Sequence, residues 1–233
     1  MRPSRRDALP TREGYLARWA ALHGGYDPGR SRVVRGWLTL TYALARPLAA
    51  ARVPPDAVTG LGVAVSLGVP AAAAAGSGWP LLAALGAIAV AVADGLDGAV
   101  AVLTDRASRW GHVLDSVADR LTDCAFLLSL GLLGAPWPLV VAAVLLTYTA
   151  EYLRARAAAG GMADIGVVTV WERPSRVVVV CAGCVAAGLD ASRAPEWAAV
   201  AAGAGVVLAT VGLAQLAVVA RRRLRGVPVS PRP

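Results

Sequence analysis

The chain has 233 residues, 57% of them hydrophobic and 16% charged. Apolar runs of about twenty residues match the hydrocarbon thickness of a bilayer, which excludes a water-soluble domain and predicts a polytopic helical membrane protein. The 23 basic residues are all arginine and outnumber the 15 acidic ones, a balance that suits anionic lipid or phosphate; nucleic acid is not an expected partner.

Residues 1–30 form a polar, Arg-rich N-terminal segment with no apolar core of the kind a cleavable secretory signal needs, and it is expected in the cytoplasm. Residues 31–51 mix Arg32, Arg35 and Arg46 with Trp37, Leu38, Leu40 and Leu44, the pattern of an amphipathic helix lying in the membrane interface. Six apolar segments follow, at about 57–75, 79–103, 111–134, 137–157, 174–190 and 196–220, each bounded by Gly, Pro or charge. The fold class expected is therefore all-α, with six transmembrane helices plus the N-terminal interfacial helix. Residues 31–220 make one membrane domain and 221–233 a basic tail for anionic lipid. Gly62, Gly131 and Gly134 would allow close helix contact. Cys124, Cys181 and Cys184 lie in apolar stretches and read as small packing residues, and the isolated His23 and His112 indicate no histidine metal site.

Arginines assign the sides, because orientation follows basic residues in short connections. Ten precede residue 57, Arg106 and Arg109 lie in the next connection on that side, Arg154, Arg156, Arg173 and Arg176 in the third, and five in the tail. The opposite connections, GSGWP, GAPWP and DASRAPE, hold only Arg193. Both termini are expected in the cytoplasm, with the chain integral to the plasma membrane.

The informative stretch is ADGLDGAVAVLTDRASRWGHVLDSVADR, residues 93–120. Measured from the turn near residue 106, Asp97 and Asp115 lie about nine residues out and Asp94 and Asp119 about twelve to thirteen, so at roughly 1.5 Å per residue each pair shares a depth. Asp94 and Asp97 are i, i+3, and Asp115 and Asp119 are i, i+4, so each pair occupies one helical face. Four carboxylates can thus converge in the cytoplasmic leaflet. Burial and mutual repulsion both oppose their ionisation, so protons or cations must fill the site. Hard oxygen ligands favour Mg²⁺, Mn²⁺ or Ca²⁺ over zinc, and two divalent ions would balance four carboxylates. Gly98 and Gly111 would let a bulky ligand approach. Asp105 reads as a helix-end aspartate facing water, and Asp123 as a partner of Arg120 or a support for the site.

These residues resemble a known signature. Asp94, Asp97, Gly98 and Ala101, followed by Gly111, Asp115 and Asp119, are similar to the CDP-alcohol phosphatidyltransferase pattern D-x-x-D-G-x-x-A-R, eight residues, then G-x-x-x-D-x-x-x-D. PPDAVT at 54–59 is similar to the segment before the first span of that family. YLRARA at 152–157 and ERPSR at 172–176 resemble a connection in actinobacterial phosphatidylinositol phosphate synthases, and the likeness extends over about residues 32–220.

The resemblance implies a homodimeric six-helix enzyme that transfers a phosphatidyl group from CDP-diacylglycerol to a polar alcohol and releases CMP. It implies metal ligation by Asp94, Asp97, Asp115 and Asp119 around two Mg²⁺ or Mn²⁺ ions, with Asp119 as the base. Ala57, Val58, Thr59, Gly60, Gly98 and Ser108 would contact the CDP-lipid. One position departs: Val102 stands where the family has Arg, which helps hold the nucleotide diphosphate. Arg106, one turn on, is a substitute if the helix continues, and Val102→Arg is expected to tighten CDP-lipid binding. Arg154, Arg156, Arg173 and Arg176 suit bidentate recognition of a phosphorylated acceptor such as an inositol phosphate, or else only set topology. Two rival readings stand beside this one: a catalytically degenerate member that binds lipid or a partner, and a divalent cation transporter.

Overall fold

The computed structural model describes residues 9–162 and 168–225. The ends of the N-terminal segment and basic tail, and part of the third Arg-bearing connection, lie outside the described residues. Eight α-helices and no strand are present among the described residues: α1 (Arg12–Leu22), α2 (Arg32–Ala50), α3 (Pro55–Ala74), α4 (Trp79–Thr104), α5 (Arg109–Leu132), α6 (Trp137–Ala159), α7 (Arg173–Leu189) and α8 (Ala194–Leu224). Helices α2 to α8 fall within a few residues of the seven predicted segments. Their limits follow from local chemistry. Pro55 opens α3, and α6, α7 and α8 carry proline in their first two positions, where the missing N–H has no intrahelical partner to lose. Ser31 caps α2 by accepting the Val34 N–H at 3.3 Å.

Helix α1 is an addition to the sequence expectation, which gave residues 1–30 no helix. Thr11 caps it, accepting the Gly14 N–H at 3.3 Å.

Three helices are long and apolar enough to cross a membrane by length and composition: α3, α4, and α8 with the short turn before it. The others are more polar or shorter. Helix α5 carries Asp115, Asp119, Arg120 and Asp123, α6 carries Glu151, Arg154 and Arg156, and α7 has 17 residues.

The chain divides into two compact units. The first comprises the residues up to Val65 and Ala89–Thr122, so it holds α1, α2, the start of α3, the second half of α4 and the start of α5. Its apolar core joins Tyr15 of α1 and Leu38, Ala45 and Ala49 of α2 to Ala99, Val100, Val102 and Leu103 of α4. Gly95 makes this contact possible: a Cβ there would lie 2.8 Å from the Trp37 ring. The Tyr15 and Thr41 hydroxyls lie 3.3 Å apart, and the Tyr42 hydroxyl donates to the Pro10 carbonyl at 3.2 Å, so the buried Tyr15 and the half-buried Tyr42 both keep polar partners.

The second unit comprises Ser66–Ile88 and the chain from Asp123 onward. Its organising feature is a stripe of small residues on α8, Ala198, Ala201, Ala202, Gly205, Ala209 and Gly212, against which α6 and α7 pack. Trp171 fills the gap beside Gly205 and Gly212, 2% exposed, with its Nε1 donating to Thr147 Oγ1 at 2.9 Å. Of the glycines expected to permit close contact, Gly131 and Gly134 do, with a Cβ falling 2.8 Å from Trp137 and 2.9 Å from Pro195 respectively. Gly62 leaves an ordinary 3.5 Å contact to Ala93.

Candidate active site

The site is built in the first unit by the turn between α4 and α5. Helix α4 ends at Thr104 because Asp105 takes a left-handed φ of 57° and the Arg106 N–H closes back on the Ala101 carbonyl at 2.8 Å. This is a Schellman stop, made with aspartate instead of the usual glycine. The chain restarts at Arg109, with Ser108 Oγ accepting the Gly111 N–H at 2.9 Å as an N-cap. Asp105 is exposed, as its helix-end reading requires. Arg106 lies beyond the helix end, so the condition on which it would share the α4 face with position 102 is not met.

Across this turn the carboxylates of Asp94, Asp115 and Asp119 meet. One oxygen of each lies within 4.8 Å of the others, and all three residues are half-buried. Three like charges at that spacing repel by roughly 3.5 kcal/mol per pair at an effective dielectric near 20, enough to demand compensation. The Arg120 guanidinium stands 3.7 Å from Asp119. The donor set fits a hard divalent cation. It is all oxygen, and separations of at most 4.8 Å do not exceed about twice a metal–oxygen distance of roughly 2.1–2.4 Å, so one ion can sit between the oxygens.

Asp97 lies apart from that trio. It is 6% exposed, its Oδ2 accepts the Thr59 hydroxyl and its Oδ1 accepts the Gly98 N–H. Around it, Gly98 and Gly60 are exposed, and a Cβ on either would meet nothing within 4 Å. Ala57 is exposed, whereas Val58 is buried at 6% and packs inward.

Val102 is explained by the N-terminal helices. Its side chain is 7% exposed within the Tyr15 and Leu38 cluster, and Arg18 of α1 donates to its carbonyl at 3.4 Å. A guanidinium at position 102 would have to enter that apolar core, so the expectation that Val102→Arg improves binding gives way to one of disruption.

The four predicted acceptor arginines belong to the second unit. Arg176 is 2% exposed, and its guanidinium donates to Asp123 at 2.7 Å, Glu151 at 2.6 Å and the Trp171 carbonyl at 3.0 Å. Arg154 donates to Glu172 at 2.8 Å and lies 3.6 Å from Glu151. Glu172 also accepts the Thr169 N–H and hydroxyl, each at 2.8 Å. Arg156 is exposed and Arg173 half-buried. Sequence reasoning missed Glu151 and Glu172 as counter-ions; the signal was the i, i+3 spacing of Glu151 and Arg154.

The chain is similar to known proteins in sequence and in fold. The CDP-alcohol phosphatidyltransferase family profile matches residues 52–211. The phosphatidylinositol phosphate synthase of Mycobacteroides abscessus is 36% identical over 157 residues, 64% of this chain and 70% of its own length. The archaetidylinositol phosphate synthase of Pyrococcus horikoshii is 33% identical over 88 residues, 37% of this chain and 46% of its own. The crystal structure of Mycobacterium tuberculosis phosphatidylinositol phosphate synthase with CDP-DAG bound superposes with a TM-score of 0.65 at 27% identity, covering 78% of this chain and 94% of that one. The same enzyme in complex with manganese and citrate gives 0.66 at 26% identity, covering 83% and 93%. By the extent of the profile match and the acidic site it contains, the chain belongs to the CDP-alcohol phosphatidyltransferase family.

Proposed function

We propose that the protein transfers a phosphatidyl group from CDP-diacylglycerol to the hydroxyl of a phosphorylated polar alcohol such as an inositol phosphate. The observation that carries this reading is the meeting of Asp94 of α4 with Asp115 and Asp119 of α5. Relatives that act as phosphatidylinositol phosphate synthases support it, as does the neighbour with CDP-DAG bound.

In this reading the acceptor oxygen attacks the phosphorus that carries the diacylglycerol. A new P–O bond forms as the bond to the bridging oxygen breaks, and CMP leaves with that electron pair. Asp119 takes the acceptor proton, which requires hydrogen-bond reach before any question of acidity. Asp94, Asp115 and Asp119, with Asp97 beside them, would hold Mg²⁺ or Mn²⁺; manganese is present in the complexed neighbour. Bound there, divalent cations would draw charge from the phosphorus and the departing nucleotide.

Exposed Gly60, Gly98 and Ala57 leave room for the CDP-lipid. Val58, buried, supports the fold of this segment in place of the expected lipid contact, and Ser108 shapes the start of α5. Arg156 and Arg173 are assigned to the acceptor phosphate, while Arg154 and Arg176 fix the segment that bears Arg173. The six helices α3–α8 cross the plasma membrane, with α2 in the interface and the site and both termini in the cytoplasm. The working form is a homodimer. Turnover of CDP-diacylglycerol with Mn²⁺ by purified protein, across plain and phosphorylated alcohols, tests the assignment. CMP release that requires a phosphorylated acceptor is expected, and release with plain alcohols alone would contradict it.

A further inference from the structure

A third helix reaches Asp97, beside the acidic trio, through a side chain that takes no part in the transfer step described above. Thr59 sits in the first turns of α3, half-buried, and its hydroxyl reaches Asp97 Oδ2. The same oxygen lies 3.3 Å from the Pro55 carbonyl, one turn back. A hydroxyl has a single proton, and a carboxylate is the stronger acceptor, so the donated bond goes to Asp97. The second Asp97 oxygen is held by the Gly98 N–H. Asp97 is therefore clamped at both oxygens, one by its own helix and one by α3, and is buried where Asp94, Asp115 and Asp119 are half-buried. Each clamped oxygen keeps a lone pair, so the clamp fixes the carboxylate's direction without exhausting its capacity to bind a cation.

We propose that Thr59 is a positioning residue for the metal centre: its hydroxyl sets the orientation of Asp97, so that α3 helps define cation affinity. This rests on the proposed function above, in which the aspartates hold Mg²⁺ or Mn²⁺. Partners that orient a ligating carboxylate commonly account for about 10–100-fold in metal affinity. Thr59 has also been assigned a contact with the CDP-lipid, and the two roles separate experimentally. A contact with lipid alone acts on the donor; an orienting hydroxyl acts on the cation with no lipid present.

The test is Mn²⁺ binding by the full-length protein in detergent without CDP-diacylglycerol, followed by electron paramagnetic resonance of the free ion. Thr59→Val keeps the shape and removes the hydroxyl, Thr59→Ser keeps the hydroxyl, and Asp115→Asn is the control for the centre itself. The expected result is a loss of about 10–100-fold for Thr59→Val, near-original affinity for Thr59→Ser, and a loss at least as large for Asp115→Asn. Unchanged Mn²⁺ affinity in Thr59→Val, with Asp115→Asn impaired, overturns the positioning role and leaves the metal centre standing. A raised KM for CDP-diacylglycerol in that variant would then return Thr59 to the donor. Unchanged affinity in all variants overturns the metal centre, and the role of Thr59 with it. Near-original unfolding temperatures for the variants separate these outcomes from a failure to fold.

Discussion

Arg176 is a guanidinium at 2% exposure, held between Asp123 and Glu151. Removing one member of such a buried group strands the others, at a cost of about 3–5 kcal/mol. Arg176→Met should therefore lower the thermal unfolding temperature strongly, while Arg156→Met, at an exposed site, should leave it nearly unchanged and act on the acceptor KM instead. Equal unfolding temperatures for the two would refute the division of roles among these arginines. Asp119→Asn should retain the fold and lose transfer by about 10²–10⁴-fold, the usual range for a positioned proton acceptor, as read by CMP release; substantial residual turnover would remove it from that role. Val102→Arg should destabilise the first unit, because it drives a charge into the cluster around Tyr15 and Leu38. Improved CDP-lipid affinity without loss of stability would show that α1 yields the space.

At the scale of helices, the joint that shapes the site is the packing of α2 on α4 at Gly95. A side chain there meets Trp37 at 2.8 Å and Thr41 at 3.0 Å, so Gly95→Leu should cost about 1–3 kcal/mol or more and change the Trp37 fluorescence. Unaltered stability would mean that α2 rests loosely. The limits of α3 to α8 were legible because apolar runs broken by Gly and Pro determine where such helices start and stop. The aspartate spacing anticipated the meeting of Asp94, Asp115 and Asp119, since i, i+3 and i, i+4 intervals fix direction on any helix, but not the separate place of Asp97. Helix α1 was not legible: REGYLARWAAL shows no continuous apolar stripe, and its docking depends chiefly on Tyr15, whose burial only tertiary contact reveals. The pairing of Arg154 and Arg176 with Glu172, Glu151 and Asp123 was equally hidden, because rotation of one helix against another decides which charges meet. The clamped position of Asp97 depends in the same way on where α3 brings Thr59.

Across the whole molecule, charge and apolarity divide along the chain. Arginines crowd one set of connections, the opposite set holds Arg193 alone, and the aspartates lie toward the Arg-bearing side of α4 and α5. This asymmetry is what the proposed topology predicts for an enzyme whose acceptor comes from the cytoplasm and whose donor lies in the membrane. Reporter fusions at both ends should each report the cytoplasmic side; opposite signals would remove one span from the proposed six. The most direct test of the central claim is CMP release by the purified protein supplied with CDP-diacylglycerol, an inositol phosphate and Mn²⁺. Release should stop on chelation and return when Mn²⁺ is restored. Mn²⁺-independent release, or none with any acceptor while Mn²⁺ still binds the aspartates, would contradict it.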